Sequence, residues 1–133
     1  MSDKTDLLDL ILSGQRLQEV VSTRRGEFVI NFPLPSDQRE IELEVADMLG
    51  GRPVASFTGD ALANFRAYAT LKKVIAKAPK WWSKLKSPEE CPDVDLTAEL
   101  YRRYLRFHQT TQKALADGES RSEAGVVQPG ANP

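Results

Sequence analysis

The sequence predicts an α+β domain, mainly helical, in which two long C-terminal helices pack on a small β-hairpin and shorter helices. Three observations predict it. Apolar residues recur at three- and four-residue spacing over two long stretches, Ala61 to Ala78 and Asp95 to Leu115. Between Gln15 and Pro35, β-branched and aromatic residues gather about a glycine-containing turn. The 133 residues, 41% of them hydrophobic, are enough for one domain with a modest core. The expected organisation is a flexible N-terminus over residues 1–5, a single globular domain over 6–116, and a disordered tail over 117–133. The tail is assigned from its Gly, Ser, Glu and Pro content.

The segment from Asp6 to Gly14 suits a short helix stopped by the glycine. Leu17 to Ser22 and Glu27 to Leu34 read as the two strands. Thr23-Arg24-Arg25-Gly26 forms the turn, where Gly26 can take positive φ. A lone hairpin is marginal in water, so one face must pack on helices or pair elsewhere. Pro33 and Pro35 break the chain. Asp37 then caps a helix, with Glu40 completing a capping-box-like pair, and Gly50-Gly51 ends it after Leu49. Within that segment Ile41 to Val45 alternates with period two, a strand signal, while Ile41, Val45, Met48 and Leu49 follow helical spacing. Both readings stand, the helix favoured.

Thr58 is a suitable N-cap for the first long helix, expected to run to about Ala78 before Pro79 stops it. Its stripe is Leu62, Phe65, Tyr68/Ala69, Leu71/Lys72, Ile75 and Ala78. Both tryptophans, Trp81 and Trp82, follow directly in a loop. Either the pair closes the core, one ring between the long helices and the other half-exposed, or it is a contact surface. After a charged, proline-containing loop, Asp95 caps the last helix. Its stripe is Leu96, Leu100, Tyr104, Phe107 and Thr111, with Tyr101, Leu105 and His108 alongside.

Net charge is −1, which predicts no strong attraction of the whole molecule to nucleic acid or anionic membrane. The charge is nevertheless segregated. Ala61 to Lys86 carries Arg66, Lys72, Lys73, Lys77, Lys80, Lys84 and Lys86 and no acid. Asp37 to Leu49 and Glu89 to Glu99 are acidic. The simplest account packs acidic segments near the basic helix. No apolar run approaches the ~20 residues of a membrane span, and the N-terminus lacks a signal-peptide layout, so a cytoplasmic protein is expected.

Chemistry is sparse. The one histidine, His108, sits on the aromatic side of the last helix, where packing is its ordinary role. The single cysteine, Cys91, precludes an intramolecular disulfide, and its acidic neighbours make it a weak nucleophile candidate. One Cys and one His cannot supply the usual tetrahedral zinc site. Glu89, Glu90, Asp93 and Asp95 lack EF-hand spacing and read as a solvated loop. Gly50-Gly51-Arg52 is not a phosphate loop, and Arg24-Arg25 read as solvated turn residues. Neither an enzyme nor a cofactor is expected.

One arrangement is similar to a known family. Phe32-Pro-Leu-Pro35 precedes an acidic amphipathic segment. A helix containing Ala67-Tyr-Ala-Thr-Leu71 then ends in Ala78-Pro-Lys-Trp-Trp82, and a second aromatic helix follows. Over residues 28–115 this resembles tail assembly chaperones of long-tailed bacteriophages. The resemblance implies a protein of the host cytoplasm that coats the tape measure protein and keeps it soluble. It also implies help in recruiting tail tube protein, absence from the finished virion, and in many members a frameshifted, C-terminally extended product. Candidate client contacts, chosen by aromatic type and position, are Phe65, Tyr68, Trp81, Trp82, Tyr101 and Tyr104, with Lys72 beside them. Several must be core, and self-association is left open. Two alternatives remain: a small nucleic-acid-binding accessory protein using Lys72, Lys73, Lys77 and the Trp pair, or a structural virion protein of the tail or connector.

Overall fold

A computed structural model describes residues 7–117; the expected loose N-terminus and nearly all of the expected tail lie outside them. Asp117 itself closes the last helix. The order is α1 (Leu7–Leu12), β1 (Gln18–Thr23), β2 (Gly26–Asn31), α2 (Pro35–Leu49), α3 (Gly59–Val74), β3 (Ile75–Lys77) and α4 (Val94–Asp117). Short 3₁₀ turns cover Val54–Ser56, Lys80–Lys84 and Pro88–Glu90. The α+β class and the two long C-terminal helices are as the sequence predicts.

The strands β1 and β2 pair antiparallel, from Gln18 against Asn31 to Thr23 against Gly26, across a two-residue turn at Arg24-Arg25. Gly26 holds φ at +126°, a region a side chain avoids. One face of the hairpin carries Val21, Phe28 and Ile30 into the core beside Leu17 and Phe32. Glu19 shares the alternation of Leu17 and Val21, and it meets Arg103 of α4 at 3.3 Å. An acid on the helix-facing side is thus matched by a helix base. Against this face lie Leu7 of α1, Leu71 and Val74 of α3, and Leu96, Leu100 and Phe107 of α4.

The hairpin gains a third strand that the sequence reading missed. The first long helix ends at Val74, not Ala78, and Ile75–Lys77 pairs with β2 through Ile75–Ile30 and Lys77–Val29, with a bulge between the two β2 residues. Two local causes favour the switch. Val74-Ile75 is β-branched, and the residue before Pro79 is disfavoured in the α region. The tertiary cause is that β2 offers an unpaired edge to any nearby extended segment.

Helix α2 settles the segment at Ile41–Val45 as helical, with Ile41 buried. Its cap differs from expectation. Pro35 is the first helical residue and Leu34 the N-cap, so Asp37 sits three residues inside. Its carboxylate there accepts the Leu34 N–H at 2.8 Å and the Arg16 guanidinium at 3.0 Å. Glu40 points instead to Lys73 of α3. Similarly, α4 is capped by Asp93, whose Oδ1 accepts the Leu96 N–H at 3.2 Å, and not by Asp95. The predicted stripe of α4 is buried throughout: Leu96, Leu100, Tyr104, Phe107 and Thr111, with Ala114 below them. Thr58 caps α3 as expected, accepting from Ala61 N–H at 3.1 Å.

Candidate partner-binding surface

The Trp pair is built onto the sheet, not between the long helices. Pro79 opens the 3₁₀ turn Lys80–Lys84, which turns both indoles back toward β2. Trp82 meets Phe28 edge-on at 5.2 Å and Trp81 meets it at 6.4 Å. The two indoles lie 5.6 Å apart, nearly perpendicular. Edge-to-face contact suits the ring quadrupoles. Trp81 also donates its Nε1–H to the Arg25 carbonyl of the hairpin turn at 2.9 Å. Both rings are half-buried and pack against the core, so each serves the fold while part of its surface faces out.

Beside Trp81 opens a depression of about 690 Å³ lined by Arg25, Trp81, Leu85, Cys91, Pro92 and Asp93. Its wall is largely apolar, with the charged Arg25 and Asp93 on it. The Arg25 Nε–H donates to Asp93 Oδ2, and Arg24 approaches the same oxygen at 3.5 Å. The turn arginines are therefore paired, not simply solvated. Arg25 first, then the Leu96 N–H, hold the Asp93 carboxyl below the usual aspartate range. Cys91 is buried and forms part of this wall. Leu85 and Pro92 were invisible as site residues; the sequence clue was Leu85 lying three residues after Trp82 in the same turn.

The other candidate contacts do not gather here. Tyr104 is core, 5% exposed, and stacks on Tyr101 at 5.9 Å. Burial pushes the Tyr104 hydroxyl up to about 12 and also raises that of Tyr101. His108 is packed between Phe32, stacked at 5.3 Å, and Tyr104 at 5.6 Å. Burial lowers its pKa, favouring the neutral ring. Phe65 meets Phe57 edge-on at 5.4 Å, away from the tryptophans in the first half of α3. Tyr68 lies half-buried one turn later on α3. Tyr104 therefore offers no ring to a partner, and the half-buried Phe65, Tyr68 and Tyr101 belong to a different neighbourhood from the Trp pair.

Lys72 is engaged within the molecule. The acidic helix α2 lies along α3, and its carboxylates take up the bases: Glu42 holds Arg66 bidentately, Glu44 holds Lys72 at 3.1 Å, and Glu40 with Asp37 holds Lys73. The Arg66 hydrogen bonds lower the Glu42 pKa, and the Glu40 hydrogen bond raises that of Lys73.

A second open groove, about 550 Å³, lies between α1, the start of α2 and the end of α4. Leu8, Ile11, Phe32, Leu34 and Leu115 line it. Among the described residues, no group of three His, Cys, Asp or Glu side chains is placed to hold a metal ion, and no helix is long and apolar enough to cross a membrane. Comparison with protein-family models, with curated proteins and with solved structures finds no match.

Proposed function

We propose that this protein is a phage tail assembly chaperone. In this reading it acts in the host cytoplasm by binding and not by catalysis. It keeps the tape measure protein soluble, helps bring in tail tube subunits, and leaves before the virion is complete. The observation that carries the reading is the open apolar depression beside Trp81 and Leu85, held in shape by the hairpin turn. An amphipathic client helix presents apolar side chains at one-turn spacing, and such side chains are what an apolar, rigidly framed groove accepts. Tryptophan at the wall supplies large contact area with few rotatable bonds. The sequence pattern from Phe32 to Trp82 supports the same reading.

The nucleic-acid alternative has less support, because two of its three lysines, Lys72 and Lys73, already pair with α2 carboxylates. The structural-virion alternative has no observation of its own. Co-expression tests the proposal: with the tape measure product of the same genome, this chain should raise the soluble fraction of that product and co-purify with it. Failure of both would sink the reading. Recovery of the chain from purified particles would favour a virion component instead.

A further inference from the structure

We propose that the groove between β3 and the chain from Trp82 to Pro88 is a docking site for an extended acidic peptide of a partner polypeptide. The sheet order β1-β2-β3 leaves β3 at the edge, and no strand lies beyond it among the described residues. The groove beside it holds about 250 Å³. Its apolar surface comes from Leu71, Ile75, Trp82 and Leu85, and its basic groups are Lys72, Lys77 and Lys86. Among the described residues, no acidic side chain lines it.

Charge decides the occupant. Lys72 is satisfied by Glu44, but Lys77 and Lys86 are exposed and make no ion pair among the described residues. Lys80 and Lys84, on the turn that carries Trp82, are in the same condition. Two bases without an ion pair among the described residues thus line the slot, with two more on the adjoining turn, and such like charges repel one another until an acidic group enters. The bases of α3 have their acids on α2; these do not.

Shape narrows the choice further. A strand can lie along the edge strand β3 and send alternate side chains to opposite sides, which a helix, with its backbone groups already paired internally, cannot do. A peptide alternating acidic and apolar residues would put apolar groups on Ile75 and Leu85 and carboxylates toward Lys77 and Lys86. Trp82 already packs edge-on against Phe28 and is the one aromatic ring among the described lining residues, whose other apolar groups are aliphatic, so the slot suits aliphatic side chains better than base faces. Trp82 lines this slot where Trp81 lines the other depression, and the assignment does not depend on the client's identity.

The test is fluorescence anisotropy of the full chain with a labelled peptide, Glu-Val-Glu-Leu-Glu-Val, beside its Lys-Val-Lys-Leu-Lys-Val counterpart and a single-stranded oligo-dT. The acidic peptide should bind at low salt and weaken as salt rises. Lys77→Glu with Lys86→Glu should weaken it roughly tenfold or more, while Lys77→Arg with Lys86→Arg keeps binding. Should the Glu variant melt early, Lys77→Gln with Lys86→Gln should read the same direction of loss. No binding, equal binding of the basic peptide, or binding unchanged in the Glu and Gln variants overturns the proposal. Tighter oligo-dT binding with the same lysine dependence also overturns it, assigning the slot to nucleic acid. None of these outcomes depends on whether tape measure protein co-purifies.

Discussion

Trp81 donates its indole N–H to the carbonyl of Arg25, 56 positions away in sequence, at 2.9 Å. That bond joins the tip of the β-hairpin to the turn that ends the β3 excursion, and it frames the depression beside Trp81. Trp81→Phe keeps much of the ring contact with Phe28 and removes the donor. It should cost about 1 kcal/mol in urea denaturation, the usual net worth of one such bond. Under the chaperone reading it should also weaken client capture more than its stability loss explains.

Trp82→Ala should cost more, roughly 2–4 kcal/mol, because it strips a half-buried ring from Phe28 and opens a gap behind β3. A loss below about 1 kcal/mol in the same denaturation series would mean that the ring is dispensable to the core.

Gly26 tolerates no side chain. Its φ of +126° is one that side chains rarely adopt, and a Cβ there would overlap the Pro79 ring, which cannot swing aside as a long side chain would. Gly26→Ala should destabilise by more than about 1–3 kcal/mol, since backbone strain and the clash add. Gly14→Ala, also at positive φ but facing open space, should cost less. The comparison of the two melting temperatures separates strain from collision.

Acid should weaken the fold in two stages. Both His108 and Asp93 have folded pKa values below their ordinary ones, so each contributes stability that is complete above its unfolded pKa and lost as pH falls through the folded one. For His108 the decline begins below about 6.5 and for Asp93 below about 3.8. His108→Gln should flatten the first stage and Asp93→Asn the second, read as urea midpoints against pH. Persistence of both stages in the two variants would place the linkage elsewhere.

The α2–α3 ion pairs should matter little to stability. Arg66 and Glu42 are about half-exposed, so solvent screens their attraction despite the bidentate geometry. A double-mutant cycle should return a coupling of about 0.5 kcal/mol or less, shrinking further in high salt.

Where periodicity is long and one-sided the sequence was a sufficient guide: the buried stripe of α4, from Leu96 to Thr111, follows directly from helical spacing. Cap positions slipped, by three residues at α2 and by two at α4, because Asp37, Asp93 and Asp95 are chemically equivalent candidates, and only the tertiary partners Arg16 and Arg25 distinguish them. The β3 strand was hidden because Ile75–Lys77 continues a helical pattern, and what overrides that pattern is the free edge of β2, a non-local fact. The site was half legible. Tryptophans after a proline drew attention, but the groove is completed by Arg25 and Asp93, 68 residues apart, which no local spacing connects.

The meeting of the hairpin tip, the Trp turn and the cap of α4 has a kinetic consequence. It joins chain segments near residues 25, 81 and 93, so the loops it closes are long and their entropy must be overcome before the contacts form. Contacts of that kind tend to arise after the folding barrier is crossed, and weakening them speeds unfolding more than it slows folding. This corner would then act as the domain's latch in time: loosening it should shorten the lifetime of the folded state and leave the rate of reaching it nearly unchanged.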